Sequence, residues 1–194
     1  MFSAVITFKC FSRAENLTQG FAKPCVMDVK IGSVTYGPDA SDSKKTKEAQ
    51  SYAGTKIPYG FSVLGIISNS QEGYKRFTKA FGRSLGENNI DDVLDHFLNV
   101  DHEFAKLIAK CFLEKLDEFL DFFSHQTTYH VYASSLLFVY DYEALEAENY
   151  NLRNPVRLKL IDFAHVFPGN GELDQNFLFG LKNLSELFRK FLNQ

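Results

Sequence analysis

Up to residue 68 the apolar positions of this chain alternate with polar ones or run in short blocks, whereas from residue 89 many recur at three- and four-residue intervals. Those are the periods of strands and of helices. Residues 3–11 (SAVITFKCF) are rich in Val, Ile and Phe and predict a strand. A polar connector follows, and Pro24-Cys25-Val26-Met27-Asp28-Val29-Lys30-Ile31-Gly32 predicts a second strand fenced by proline and glycine. Gly37-Pro38 marks a turn, and Ser41 or Asp42 begins a helix with almost no apolar stripe. Residues 60–68 (GFSVLGIIS) predict another strand, and 74–86 (YKRFTKAFGRSLG) a loop or strand ending at glycine. Ile90, Val93, Leu94, Phe97 and Leu98 then form one helical face. Asp101 caps a long helix that turns Phe104, Leu107, Ile108, Cys111, Phe119 and Phe123 inward. Two strands, 129–142 (YHVYASSLLFVYDY) and 156–167 (VRLKLIDFAHVF), flank an acidic connector, and a closing helix presents Phe177, Leu181, Leu184, Leu187, Phe188 and Phe191. Strands first, helices after, with a late pair of strands between helices: the order predicts an α+β fold with a sheet-rich small lobe and a helical large lobe.

Composition narrows this picture. A chain of 194 residues, 45% hydrophobic and with 20 Phe, fits one globular domain or two small lobes. A net charge of -3 gives no global reason to bind nucleic acid, so any polyanion has to meet a local basic patch. Cys10, Cys25 and Cys111 are widely spaced and odd in number, which reads as buried thiols in a reducing compartment. The first residues lack the features of a signal peptide, and no run approaches the roughly 18 apolar residues of a membrane span. The expectation is a soluble intracellular protein, cytoplasmic or nuclear.

Candidate chemistry begins at Asp28 and Lys30. Residues two apart on a strand share a face, so this acid and base stand side by side while Val29 and Ile31 face a core. A surface ion pair of little energetic weight has the same spacing. Asp162 stands at the end of an apolar strand beside Phe163, where a carboxylate suits a hard cation such as magnesium and equally suits a turn. The helix near residue 42 carries Lys44, Lys45 and Lys47, which is either a solvated face or a surface for a charged ligand. Among five histidines only His165, three residues after Asp162, lies near a candidate site. Walker A, GxGxxG, CxxC and HExxH patterns are absent.

Three segments, in order, carry a resemblance. PCVMDVKIG matches PxxxDxKxG, SSLLFVYD matches an SSLL segment and LIDFAHVFP an IDF segment of the inositol polyphosphate kinase family, with GRSL at 82–85 and GLKNLSELF near the end in agreement. The chain resembles this family from about residue 14 to its end, and within it the multikinases most, while hexakisphosphate kinases and trisphosphate 3-kinases share the frame. The resemblance implies a protein-kinase-like two-lobed fold with a shortened N-terminal lobe, and ATP and Mg2+ as cofactors. Asp28 would bind the ribose hydroxyls of ATP, and Lys30 would reach the transferred phosphoryl group and the inositol phosphate. Asp162 would hold the metal. Glu15 and Leu17 would offer backbone groups to adenine, and Lys44, Lys47 and His165 would meet the substrate, with Ser134 and Ser135 in support. As a single catalytic domain, 1–35 and 60–68 would be the remnant of the small lobe, 36–59 the substrate-binding helix and 69–194 the large lobe.

The sequence departs from the family at its start and in the substrate helix. Only 14 residues precede Glu15, so the strand whose lysine grips the ATP α- and β-phosphates has no counterpart, Lys9 being too near the hinge. Either Met1 is not the native start or this is a reduced form. Glu48 stands where a neutral or basic residue would suit a polyphosphate better. The expected function is an ATP-dependent kinase of soluble inositol polyphosphates of the tris- and tetrakisphosphate class. The alternatives are a hexakisphosphate kinase making pyrophosphates, or a truncated, weakly active protein that binds inositol phosphates or protein partners.

Overall fold

The expected alternation in Pro24–Ile31 is realised as strand β1, with Cys25, Met27, Val29 and Ile31 wholly buried and the intervening residues half-exposed. In the computed structural model, which describes residues 15–99, 104–143 and 156–194, the elements after β1 run as follows. Helices α1 (Asp42–Gln50) and α2 (Ala53–Tyr59) lead into β2 (Phe61–Ser70), β3 (Gly73–Phe77) and α3 (Lys79–Ser84). Then come α4 (Asp92–Leu98), α5 (Ala105–His125), β4 (Tyr129–Tyr132), β5 (Ser135–Asp141), β6 (Val156–Ile161), β7 (His165–Pro168) and α6 (Gln175–Leu192). An antiparallel sheet of order β3-β2-β1-β5-β6 and a β4-β7 pair make up the strand structure, an α+β arrangement. The strand expected at 3–11, Cys10, the cap Asp101 and most of the acidic connector lie outside the described residues.

One face of the sheet is sealed by aromatic packing. Phe138 of β5 stacks on Phe188 of α6 at 5.6 Å and meets Phe112 of α5 edge-on at 5.1 Å, and Phe97 of α4 packs against Phe112 at 5.7 Å. Buried apolar area of this kind is the main stabilising term of a small domain. Helix α6 approaches closely because residue 180 is glycine: a Cβ there would overlap the Gly60 carbonyl at the entry to β2.

Two elements differ from the sequence reading in ways that shape the site. Residues 74–86 form β3 and then α3, because Thr78 caps a new helix by accepting from the Ala80 amide at 3.3 Å. The two late strands each break in the middle. Ala133 (φ 58) and Asp162 (φ 64) both adopt left-handed backbone, so β5 pairs with β6 below the break and β4 with β7 beyond it. The Ser134 hydroxyl donates to the Asp162 carbonyl at 3.0 Å across the gap. Asp162 therefore stands exposed at a junction between two sheets. The large sheet also joins β1 and β2 to β3, β5 and β6, so segments after residue 69 complete the sheet of the expected small lobe.

Candidate active site

The face of β1 opposite the aromatic core is left open, and alternation puts Val26, Asp28 and Lys30 on it. They line a cleft of about 830 Å3 together with Leu137, Asp162 and, from the corner between β3 and α3, Arg76, Thr78 and Lys79. The cleft thus gathers two carboxylates and three cations. Register explains part of this: Lys30 lies opposite Ser135 on β5, and Asp28 lies opposite Gly65 on β2, whose missing side chain leaves space beside the carboxylate.

Asp28 is under electrostatic tension. Its Oδ1 is buried and, among the described residues, has no hydrogen-bond partner. Burial pushes its carboxyl above the ordinary range, with Asp162 adding to the rise and Ser135, Lys30 and Lys79 opposing it. The Ser135 hydroxyl eases the charge by proximity, yet it does not reach hydrogen-bond geometry and is itself buried without a partner among the described residues. An unsatisfied buried acceptor costs about 1–3 kcal/mol, and such groups concentrate where a ligand supplies the missing donors.

The lysine helix α1 is anchored from beneath. Ser41 caps it, accepting from the Lys44 amide at 3.4 Å. Glu48, which the sequence made an oddity for a polyphosphate surface, turns inward: its Oε2 accepts from Thr35 Oγ1 at 2.8 Å. Lys56 of α2 is buried and donates to the Glu48 carbonyl. Burial pushes the Lys56 amine below the ordinary lysine range, against the pull of the Glu48 carboxylate and with Lys30 adding to the fall. On the outer side Lys44 Nζ lies 3.4 Å from His165 Nε2, while Lys45 pairs with Asp42 at 3.7 Å. Lys47 is exposed one turn on from Lys44.

Asp28, Lys30 and Asp162 thus share one cleft, and Lys44 and His165 meet beside it. Glu15, Leu17, Lys44, Lys47 and His165 are not among the residues that line the cleft. Glu15 and Leu17 sit on a turn, where the Leu17 carbonyl accepts from Arg157 Nη1 at 2.7 Å. Sequence reasoning missed Arg76, Lys79 and Lys56, while Ser135, expected in a supporting role, stands opposite Lys30. Lys79 lies three residues before the GRSL stretch, at the start of a helix that was not foreseen, and nothing in the local pattern marks Lys56 as buried. Among the described residues no group of three or more His, Cys, Asp and Glu side chains could enclose a metal. A divalent cation in phosphoryl transfer takes one or two carboxylates and completes its shell with phosphate oxygens and water, so Asp162 at the cleft fits that role. Among the described residues, no helix is long and apolar enough to cross a membrane.

The comparisons with known proteins agree with one another. Residues 11–189 match the model of the family described as inositol polyphosphate kinase. Inositol polyphosphate multikinase alpha of Arabidopsis thaliana is 32% identical over 92% of this chain, which spans 68% of that protein. A solved inositol phosphate multikinase superposes with a TM-score of 0.79 at 32% identity, covering 92% of this chain and 84% of that one. The multikinase of S. cerevisiae in complex with ADP and Mn2+ gives 0.78 at 26% identity, with 92% and 82% covered. The fold is that of these multikinases, and the chain belongs to the inositol polyphosphate kinase family.

Proposed function

We propose that this chain transfers the γ-phosphoryl group of ATP to a hydroxyl of a soluble inositol polyphosphate in the manner of the multikinases, with Mg2+ as the working cation. The observation that carries this reading is the convergence of Asp28, Lys30 and Asp162 in one cleft, with a buried Asp28 oxygen that lacks a donor among the described residues. Ribose hydroxyls supply such donors, so Asp28 accepts from the nucleotide. Lys30 places a positive charge where the phosphoryl group passes from ADP to the attacking hydroxyl, and fixed charges of this kind lower the barrier of a reaction that depends on positioning and charge neutralisation. Asp162 holds the divalent cation, which neutralises phosphate oxygens. The turn at Glu15 and Leu17 receives the adenine. Lys44, Lys47 and His165 form the outer wall that meets the phosphates of the substrate, and Lys56 and Glu48 keep that wall in place.

Arg76 and Lys79 bring two further cations to the cleft, where the nucleotide phosphates need them. This favours a working kinase over a protein that only binds inositol phosphates. The test is incubation of the purified chain with γ-labelled ATP, Mg2+ and a panel of inositol phosphates from trisphosphate to hexakisphosphate, with products separated by anion exchange. Label entering the tris- and tetrakisphosphates supports the proposal. Label entering the hexakisphosphate alone would assign the chain to pyrophosphate synthesis, and no transfer at all would leave a binding protein.

A further inference from the structure

The turn carrying Glu15 and Leu17 belongs to no strand or helix. Its shape is local: Gln19 N donates to Asn16 O at 3.1 Å, Phe21 N to Thr18 O at 3.0 Å, and Gly20 supplies a left-handed residue at φ 82. Its place is set by two remote side chains. Asp141, at the end of β5, accepts from the amides of Ala22 and Lys23, both at 2.9 Å. Arg157, on the edge strand β6, holds the other end. Its Nη1 donates to Leu17 O at 2.7 Å and to Gln19 O at 3.0 Å, and its guanidinium lies over the Phe21 ring, 4.0 Å from the centroid.

Arg157 occupies two carbonyls and leaves two other peptide groups open. Among the described residues, neither the Glu15 carbonyl nor the Leu17 amide has a hydrogen-bond partner. An acceptor and a donor two residues apart complement the edge of adenine, whose exocyclic amine donates and whose ring nitrogen accepts. Guanine presents the reverse pattern at that edge, a carbonyl and an N–H. We infer that Arg157 is a positioning residue for nucleobase selection: by clamping the Leu17 and Gln19 carbonyls and stacking on Phe21, it aims Glu15 O and Leu17 N at the base without touching it. A planar guanidinium does this better than an ammonium, because one group both forks between two carbonyls and lies flat on a ring. The inference rests on the adenine-turn reading proposed above.

The experiment is titration calorimetry of ADP and of GDP, each with Mn2+, into the full chain and its Arg157→Met and Arg157→Gln variants. Binding rather than turnover is read, so the result does not depend on the rate of the kinase reaction. The full chain prefers ADP. Arg157→Met weakens ADP about ten-fold, equivalent to about 1.4 kcal/mol, leaves GDP nearly unchanged and so collapses the preference; Arg157→Gln moves the same way by less and serves if the Met variant lacks a melting transition. A lowered melting temperature with the ADP-to-GDP ratio of the parent would make Arg157 a purely structural clamp and overturn the inference while the adenine turn stands. A parent chain without preference for ADP would overturn the adenine turn and this inference together.

Discussion

Replacing Asp28 by Asn separates function from stability, because the two respond with opposite signs. In the folded chain Asp28 Oδ1 is buried and, among the described residues, neither it nor Ser135 Oγ has a hydrogen-bond partner. An Asn side chain can turn its amide toward that hydroxyl and carries no charge. Relief of an unsatisfied buried acceptor is worth about 1–3 kcal/mol, and at about 2–4 °C per kcal/mol for a chain of this size the melting temperature rises by several degrees. The nucleotide sees the reverse. A hydrogen bond to a charged acceptor contributes about 1.5–3 kcal/mol, so ADP affinity falls about 10- to 150-fold. The pH dependence carries its own sign. Because the folded-state carboxyl is raised above its ordinary value of 3.8, the folded parent binds more protons than the unfolded chain as pH climbs from there, so its stability declines through that window and then levels off. The stability difference between Asp28→Asn and parent therefore grows upward from about pH 4 and plateaus once the raised carboxyl has ionised. Thermal melts at a series of pH values, with and without ADP and Mn2+, measure all three effects. An Asp28→Asn variant that melts lower than the parent and binds ADP equally well would refute the reasoning, since Asp28 would then be a stabilising member of the fold.

Three further substitutions follow from the same geometry. Lys30→Ala lowers kcat about 100-fold or more while the melting temperature stays close to the parent's, because Val29 and Ile31 carry the packing of β1; an active variant with intact turnover would exclude Lys30 from the chemistry. Asp162→Asn removes the metal-dependent part of ADP affinity without straining the backbone, since Asn tolerates left-handed φ as Asp does; identical calorimetric titrations with and without cation for parent and variant would make Asp162 a turn residue. Lys44→Ala combined with Lys47→Ala raises KM for the inositol phosphate far more than KM for ATP and flattens its salt dependence, as expected for screened charges facing a polyanion; equal effects on both substrates would reduce the helix to a solvated face.

Part of the chemistry of this chain was legible in its periodicity. Alternation in β1 assigned Asp28 and Lys30 to one face and Val29 and Ile31 to the core, and the structure has that division because a strand has only two faces. Helical periodicity likewise found the buried stripe of α6, whereas on α5 it named Ile108 and Phe123 but passed over Phe112 and Leu116, which are wholly buried while Phe104, Leu107, Cys111 and Phe119 are only partly so. What escaped depends on tertiary placement. The break at Ala133 leaves no mark in an apolar run of β-forming residues, and Asp162, which suited a turn as well as a cation, does not announce that its strand resumes in a second sheet, because each break is a single left-handed residue set by pairing across the gap. Lys56 reads as an ordinary surface lysine until α2 folds it against the end of α1. Glu48 looked misplaced on a phosphate-facing helix, and its real partners lie 13 residues back at Thr35 and on α2 at Lys56. Arg157 is 140 residues from Leu17, a separation that periodicity cannot bridge.

In the proposed reaction one cleft, built on β1 and the end of β6, holds the nucleotide, the cation and the reacting phosphate. A crystal structure of the chain with ADP, Mn2+ and an inositol trisphosphate tests it most directly. The account predicts ribose hydroxyls within hydrogen-bond distance of Asp28, the cation on Asp162, and Lys30 Nζ between the nucleotide phosphates and the inositol ring. A nucleotide bound elsewhere, or bound in the cleft with Asp28 and Asp162 both out of reach, would contradict it.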